Sequence, residues 1–503
     1  MTRTPIQNLV IVGGGTAGWL AAAMLSKWFE KSAMQITLVE SDAIGIVGVG
    51  EATVPSIRKA INFLGIDEAE FIARTSATFK LAIQFDGWSK AGDAFFHPFA
   101  THGEPIAEFP FYDCWAHMRE QGQAKKLDAY STPAAVAAAD KFAVPPNGAT
   151  GLSKFDYAYH FDAGLVAKLL REYGEAKGVS RQEGIISSVD QDAETGAVTG
   201  VRLEDDRVIE GDFFIDCSGF RSLLIEGAMA AGYEDWSGWL PCDRAIAAPT
   251  AKTTPFPAYT KSKALPVGWR WRIPLQTRTG NGYVYSSPYI SDDEALDVFK
   301  KELGVPTSAE PRLIKFQTGM RKRIWIKNVY AVGLAGGFLE PLESTSIYAI
   351  QSFITRLFKN FPHKEINQTR IDLVNAAARK EQEHLRDFLI LHYWGNGRHG
   401  EKFWDDCRAM SLPDSLTKMI GAWRDTATIP LGEQEFFRES SWASLFCGLG
   451  FEPTSYHPGV HGIGDSVIAS AFQEFETYIN AAAQQAPVHD AYFEGAAKTA
   501  ENV

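Results

Sequence analysis

Residues 8–28 read NLVIVGGGTAGWLAAAMLSKW, and this stretch decides the fold class. Residues 8–12 form a largely β-branched, apolar run, which is typical of a buried parallel strand. Glycines follow at the spacing GxGxxG, and the residues after Gly18 are mostly strong helix formers. A strand, a glycine turn and a helix in this order predict the first βα unit of a dinucleotide-binding α/β fold.

Each part of the glycine turn has its own physical role. Gly13 permits the tight turn, Gly15 lets the backbone approach a pyrophosphate, and Gly18 lets the helix pack closely on the strand. The pyrophosphate then lies at the helix N-terminus, where the backbone at Thr16 and Ala17 favours an anion. A chance glycine turn is the alternative interpretation.

The second predicted strand ends at Glu40, 22 positions after Gly18, where a carboxylate can accept a hydrogen bond from a ribose hydroxyl. These features do not separate FAD from NAD. Residues 213–221 (FFIDCSGFR) and the turn at Gly333 and Leu334 resemble the second and third flavin-contact motifs of FAD-dependent monooxygenases. The predicted cofactor is therefore FAD.

Composition and length limit the remaining possibilities. The 503 residues carry a net charge of −12, which disfavours general binding to nucleic acid or anionic membranes. Five sparse cysteines without a CxxC pair predict reduced thiols in a cytoplasmic protein and no metal site. We expect an FAD-dependent monooxygenase-like module over residues 1–355 and a mainly helical substrate-binding cap over residues 356–503. A surface excursion is predicted near residues 100–150, centred on the Ala- and Pro-rich stretch 131–150.

Four further segments carry a more specific signature: residues 48–55 (GVGEATVP), 78–80 (TFK), 269–274 (WRWRIP) and 340–348 (EPLESTSIY). Together with the nucleotide motif they resemble the flavin-dependent halogenases of the tryptophan halogenase type. The resemblance implies that FADH2 and oxygen convert chloride or bromide to hypohalous acid. This oxidant then travels through a tunnel to a lysine beside an aromatic substrate.

The resemblance implies that Lys80 is this lysine and that Glu343 is the catalytic glutamate. An ammonium can polarise hypohalous acid, and a free amine can form a haloamine. A carboxylate can orient the oxidant or accept the proton that the halogenated ring loses. From the residues alone, Lys80 could be a surface lysine and Glu343 could support the start of a helix predicted over residues 347–361.

The same helix start implies a halide site. Backbone N–H groups at Thr345 and Ser346 form a cradle suited to chloride or bromide. Members of the family usually have glycine where Ser346 stands. The added side chain leaves the halide preference open.

Two segments resemble parts that organise the flavin. Residues 48–55 resemble the strap over the isoalloxazine, with Gly48, Val49 and Ala52 as FAD contacts. Trp269 and Trp271 would project from one face of a strand. The resemblance implies that they form a tunnel wall between flavin and substrate, and core packing is the alternative.

The substrate is the least defined part. His97 and Phe99 resemble the segment that sandwiches the substrate ring, although a structural His-Pro turn is an alternative. Trp442 is a further substrate-binding candidate, but residues 432–442 lack the paired tyrosines with which enzymes of free tryptophan hold the amino acid. We therefore expect an indole or a similar electron-rich arene.

Other functions remain open at this point. A flavin-dependent hydroxylase would transfer oxygen directly to the arene, and a non-catalytic FAD-binding protein would have no use for Lys80 and Glu343. No NAD(P)H-binding module is evident, so a separate flavin reductase is the expected source of FADH2. The sequence is compatible with a homodimer but does not fix the oligomeric state.

Overall fold

The computed structural model describes residues 4–43, 50–365, 367–432 and 435–493. These residues form two compact units, each assembled from three separate stretches of chain. The first unit takes the described residues within Met1–Ala77, Phe161–Gly238 and Phe316–Gln382, and the second takes those within Thr78–His160, Trp239–Lys315 and Glu383–Val503. The division after residue 355 concerns order along the chain and stays a prediction.

The helices in chain order are α1 (Thr16–Trp28), α2 (Ser56–Leu64), α3 (Glu68–Thr75), α4 (Phe111–Glu120), α5 (Thr132–Ala138), α6 (Ala163–Ala176), α7 (Asp292–Leu303), α8 (Ser346–Lys359), α9 (Gln368–Trp394), α10 (Lys402–Arg408), α11 (Asp414–Thr426), α12 (Glu439–Gly448) and α13 (Asp465–Gln485). The described chain after α8 is mainly helical, as predicted. None of the helices within the described ranges has both the length and the apolar composition needed to cross a bilayer.

The strands are β1 (Asn8–Val12), β2 (Gln35–Glu40), β3 (Gly50–Ala52), β4 (Thr78–Lys80), β5 (Ala82–Asp86), β6 (Ala94–Pro98), β7 (Ala158–Asp162), β8 (Ser180–Glu183), β9 (Ile186–Gln191), β10 (Val198–Leu203), β11 (Val208–Glu210), β12 (Phe213–Asp216), β13 (Tyr233–Asp235), β14 (Arg244–Ala251), β15 (Tyr259–Ala264), β16 (Trp269–Pro274), β17 (Arg278–Tyr285), β18 (Arg312–Lys315), β19 (Gly319–Arg321), β20 (Trp325–Ile326), β21 (Val329–Ala331) and β22 (Gly337–Phe338).

The first unit is built on a six-stranded sheet in the order β20-β21-β12-β1-β2-β8. β1 lies in the middle and runs parallel to both β2 and β12, so that Val12 is level with Val39 and with Asp216. The apolar residues of β1 are fully buried because α1 crosses from β1 to β2 and covers the sheet. The βα unit predicted from residues 8–28 is confirmed, and the carboxyl ends of β1, β2 and β12 meet beside the glycine turn.

The second unit is built on a seven-stranded sheet in the order β18-β14-β17-β16-β15-β5-β6. Helix α7 packs on this sheet through a buried cluster that includes Ile246, Tyr283 and Phe299. β5 runs parallel to β15 and antiparallel to β6. Because β15 also pairs with β16, this arrangement places residues 82–98 one strand away from the strand that carries Trp269 and Trp271.

The prediction of a surface excursion over residues 131–150 is wrong for its first half. Residues 132–138 form α5, in which Ala134 and Val136 are buried and which packs against α13. Pro133 lies in the first turn of the helix. Proline is well tolerated there, because a backbone N–H in the first turn has no acceptor within the helix. Alanine and proline therefore mark a closely packed helix here. The later part of the stretch is more open, with Val144 half exposed.

Candidate active site

The glycine turn after β1 has the shape that a dinucleotide requires. Gly13 has a φ of 108°, and a Cβ there would lie 2.3 Å from the carbonyl oxygen of Cys217. A Cβ at Gly18 would lie 1.8 Å from the carbonyl oxygen of Gly13. By contrast, a Cβ at Gly15 would meet no atom within 4 Å, so open space lies in front of this backbone. The turn therefore leaves room for a phosphate group to approach the backbone closely.

The start of α1 adds an anion-binding end to this turn. Gly15 is the N-cap and makes no side-chain capping hydrogen bond, so α1 begins at Thr16 and Ala17 without a side-chain acceptor. The turn at Gly333, with a φ of 68°, lies against this point, because a Cβ there would be 2.9 Å from the Cβ of Ala17. Leu334 follows and is 39% exposed. The predicted first and third flavin-contact motifs are thus brought together.

Glu40 also lies at the glycine turn, but it has a partner that the sequence did not suggest. A Cβ on Gly14 would overlap the Glu40 carboxylate. Its Oε1 accepts a hydrogen bond from Arg181 Nε at 2.6 Å, and its Oε2 lies 3.4 Å from the indole N–H of Trp19. The carboxylate is therefore held in a fixed orientation at the end of β2, and its contact with a ribose stays a prediction.

The remaining cofactor predictions are placed only in part. Ala52 is buried at the end of β3. Gly48 and Val49 lie outside the described residues. The open backbone at Gly15, the uncapped start of α1 and the oriented Glu40 together fit a dinucleotide such as FAD.

The segment around Glu343 leads directly into α8. Glu343 is 1% exposed and ends a short 3-10 turn, and Ser344 follows with a φ of 59°. Thr345 is the N-cap and Ser346 is the first helical residue, with no side-chain capping bond. Helix α8 packs on the nucleotide turn, since Ile350 lies next to the backbone of Gly333. The predicted helix over residues 347–361 is confirmed within two residues at each end.

Lys80 is a fully buried residue in the second unit. It ends β4, where it lies opposite Ala158 of β7, and its ammonium nitrogen is 5.2 Å from the centre of the Phe99 ring. The backbone N–H of Phe99 donates to the carbonyl of Leu81, which fixes the ring beside the lysine. Lys80 is therefore an interior cation facing an aromatic ring, which excludes the interpretation as a surface lysine.

His160 organises the surroundings of Lys80 and had no signal in the sequence. The Thr78 hydroxyl donates to the carbonyl of Pro274 at 2.7 Å, so it must accept the N–H of His160 Nδ1 at 3.1 Å. His160 Nε2 then accepts from the Thr260 hydroxyl at 2.9 Å. Burial, with the charge of Lys80 as a smaller cause, holds the pKa of His160 well below its usual range. The imidazole of His160 is therefore neutral, and it places no second positive charge near Lys80.

His97 and Trp442 belong to one aromatic cluster of the second unit. The Phe388 ring lies 5.7 Å from His97, 4.8 Å and perpendicular to Trp442, and 3.7 Å and stacked on Phe437. His384 completes the cluster at 5.7 Å from Trp442. The density of aromatic residues after position 390 was a sequence signal for such a cluster, but Phe388 and His384 were not singled out. The rings of the cluster are buried against one another, and the binding of a substrate by His97 and Trp442 stays a prediction.

Trp269 and Trp271 project from the same face of β16, with ring centres 6.0 Å apart. They are 1% and 8% exposed, respectively. Trp271 lies directly over Gly282 of β17, where a Cβ would be 2.0 Å from the indole. The predicted shared face is confirmed, and glycine at position 282 lets the indole of Trp271 lie flat on the sheet. Their role as a tunnel wall stays a prediction.

A family model described as tryptophan halogenase matches residues 8–465. The chain belongs to the tryptophan halogenase family. Among curated relatives, the tryptophan 6-halogenase SttH of Streptomyces toxytricini is 36% identical over 447 residues, covering 84% of each protein. The tryptophan 7-halogenase RebH of Lentzea aerocolonigenes is 33% identical, covering 90% of this chain and 91% of the relative.

Solved structures agree with the sequence relatives. BrvH, a flavin-dependent halogenase from Brevundimonas sp. BAL3, is 41% identical and superposes with a TM-score of 0.94, covering 98% of this chain and 99% of the other. The protein is accordingly a flavin-dependent halogenase with FAD as its cofactor. The hydroxylase and the non-catalytic FAD-binding protein considered above are not favoured.

Proposed function

We propose that this halogenase transfers chlorine or bromine to indole or a similar electron-rich arene, with Lys80 as the residue that directs the electrophile. The observation that carries the proposal is the buried ammonium of Lys80, 5.2 Å from the centre of the Phe99 ring. A lysine excluded from water can hold a polar oxidant next to an aromatic face without losing it to solvent.

The protein groups account for the atoms of the reaction. Hypohalous acid gives its halogen to the arene, a carbon–halogen bond replaces a carbon–hydrogen bond, and the hydroxyl leaves as water. Lys80 gives a proton to the departing hydroxyl, Glu343 takes the proton that the ring loses, and proton exchange with water restores both groups. Burial of Glu343 supports this role, because bulk water is kept away from the carboxylate that accepts the proton.

Reduced FAD, when bound, would donate two electrons to oxygen, and the activated oxygen would oxidise the halide. We propose that Gly13, Gly15, Thr16, Ala17 and Gly18 hold its pyrophosphate. The other proposed contacts are Glu40, Gly48, Val49, Ala52, Gly333 and Leu334. The halide is proposed to bind at the N–H groups of Thr345 and Ser346, and Trp269 and Trp271 to separate the flavin from the substrate.

The proposed substrate differs from that named for the relatives. SttH and RebH are named as tryptophan halogenases. In this chain His97, Phe99 and Trp442 supply aromatic faces, whereas the stretch before Trp442 has no tyrosine pair for an amino acid group. An indole without that group is therefore the proposed substrate. We also propose a separate reductase as the source of FADH2, a cytoplasmic location and a homodimer.

The test is mass spectrometry of a reaction that contains indole, FAD, a flavin reductase, NADH, oxygen and bromide. Lys80→Met removes the ammonium and keeps an unbranched side chain that is one heavy atom shorter. Lys261→Met is the matched control, because Lys261 lies in the same unit but pairs at the surface with Asp86 at 2.8 Å. We expect a bromine isotope doublet with wild type and with Lys261→Met, and none with Lys80→Met. Bromoindole from Lys80→Met at the wild-type rate would contradict the role of Lys80.

A parallel reaction with free tryptophan tests the substrate. We expect indole to be brominated with the higher kcat/KM, because aromatic faces alone recognise it. A preference for tryptophan would refute the substrate proposal and leave the role of Lys80 intact. A reaction without enzyme is the control for bromination by free hypobromite.

A further inference from the structure

A carboxylate on α9 binds one face of α8, the helix that begins at the proposed halide site. Glu381 accepts hydrogen bonds from the hydroxyl of Tyr348 at 2.5 Å and from the hydroxyl of Ser352 at 2.7 Å. It also pairs with Arg356, whose Nη2 is 2.7 Å from its Oε2. A single side chain thus contacts α8 at three successive turns.

The spacing of these three contacts determines how α8 is held. Tyr348, Ser352 and Arg356 are four residues apart and therefore lie on one face of α8. The opposite side of the helix carries buried apolar residues such as Ile350 and Ile354. Apolar packing alone tolerates small rotation or sliding of a helix, whereas three directed bonds to one carboxylate fix both its rotation and its position along the axis.

Burial makes these bonds stronger than surface contacts. The Glu381 side chain is 13% exposed and that of Arg356 is 21% exposed, so water and salt screen the pair only partly. Burial, reinforced by the charge of Glu381, raises the pKa of Tyr348 far above its usual range, which keeps its hydroxyl as a donor. The Glu381 carboxylate is therefore held by two hydroxyl donors and one guanidinium of α8.

We propose that Glu381 is a positioning residue for halide binding, acting through Tyr348. Tyr348 follows Ser346 by two residues, in the first turn of α8, so its bond to Glu381 fixes the turn whose N–H groups face the halide. This inference rests on the proposed halide site at Thr345 and Ser346. Glu381 touches neither halide nor flavin in this assignment.

The test separates positioning from general stability. Bromide KM, indole KM and kcat are measured for Glu381→Ala, Glu381→Gln and Tyr348→Phe. We expect bromide KM to rise about ten-fold for Glu381→Ala, with indole KM and FAD affinity unchanged, because displacement of a binding turn by a fraction of an ångström weakens only that site. The bromide KM of Glu381→Gln should lie between those of wild type and Glu381→Ala, since the amide oxygen still accepts from the two hydroxyls.

Arg379→Ala is the matched control. Arg379 lies two residues away on α9 and pairs with Glu234 at 2.5 Å, so its loss destabilises the same helix without touching α8. We expect it to lower the melting temperature without a change in bromide KM. An equal rise of bromide KM in Arg379→Ala and Glu381→Ala would overturn the proposal.

A double variant gives a second criterion. Because Glu381 acts through Tyr348, Tyr348→Phe should raise bromide KM in the wild-type background and have no further effect in Glu381→Ala. Additive effects would overturn the proposal. Tyr348→Phe keeps the carboxylate and most of the packing, so it still tests the proposal if Glu381→Ala does not fold.

Ser346→Gly distinguishes this inference from the halide site on which it rests. If bromide KM is unaffected by Ser346→Gly and by Glu381→Ala, the halide site itself is misplaced. If Ser346→Gly changes bromide KM and Glu381→Ala does not, only the role of Glu381 is refuted.

Discussion

Mild acid should destabilise the second unit through three buried histidines. Burial lowers the pKa of His102 and of His489 to about 3, and holds the pKa of His160 well below its usual range. The charge of His97 contributes for His102, and the charges of Lys80 and His489 contribute for His160. Each ring also uses one nitrogen as an acceptor, and a proton on it would break that bond.

The hydrogen bonds show this acceptor role directly. His489 Nε2 accepts from the backbone N–H of Phe79 at 3.2 Å. In His102, Nε2 donates to the hydroxyl of Ser444, which itself donates to a carbonyl, so Nδ1 accepts from the Tyr112 hydroxyl. His160 accepts from Thr260, as described above. All three rings are therefore built into the fold in the neutral form.

The sign and size of the effect follow from linkage. An unfolded histidine takes up a proton below its ordinary pKa of 6.5, whereas the folded rings do not, so the unfolded state gains protons and stability falls as the pH falls. One pH unit below that value, each ring costs about 1.4 kcal/mol, and the three together cost about 4 kcal/mol. For a unit of this size the melting temperature should fall by about 10 °C.

The assay is thermal unfolding followed by tryptophan fluorescence at about pH 7.5, 6.5 and 5.5, a range above the ordinary carboxyl pKa values. His160→Gln should flatten the dependence of melting temperature on pH by about a third, because one of three such groups is removed. His399→Gln is the control, since that ring is exposed. A melting temperature equal at all three pH values, or an NMR titration of His160 near its ordinary pKa, would refute the reasoning.

Three further changes test other parts of the site. Gly18→Ala should abolish tight FAD binding and lower stability by about 3 kcal/mol, measured by flavin titration and melting, because its Cβ would overlap the carbonyl of Gly13; retained flavin affinity would contradict the account of the turn. Phe99→Leu should lower kcat/KM for indole about ten-fold by removing the ring beside Lys80, as measured by chromatography of bromoindole. Lys80→Arg should lower kcat at least about a hundred-fold in the same assay, since a guanidinium is a much weaker proton donor than an ammonium and is bulkier than the lysine that it replaces; a rate near wild type would show that a positive charge alone is sufficient.

The sequence predicted those parts of the fold that depend on neighbours along the chain. Residues 8–28 gave the βα unit because strand, turn and helix are contiguous, and α8 was found from its helical spacing. The buried position of Lys80 depends on β4 lying opposite β7, a pairing of residues about eighty positions apart. No local pattern specifies that register, so burial could be expected only from resemblance.

Partners that come from distant elements could not be predicted for the same reason. Strand register places His160 near Lys80, and the packing of α8 and α9 makes Glu381 the hydrogen-bond acceptor of Tyr348. Glu40 was predicted at the correct turn, but its pairing with Arg181 depends on β8 lying beside β2. In each case the side chain is visible in the sequence and its contact is a product of tertiary packing.

The parallel pairing of β5 with β15 has a consequence for biosynthesis. Ala82 pairs with Tyr259, and β6, at the edge of the sheet, reaches the other strands only through β5. At ribosomal speeds of about 5–20 residues per second, the β5–β6 hairpin waits about 10–35 seconds for its partner strand. During that time the apolar strand that will flank Lys80 has an unpaired edge in the nascent chain. Synthesis of this enzyme should therefore depend on chaperones that cover the hairpin, and slow translation before residue 259 should increase aggregation.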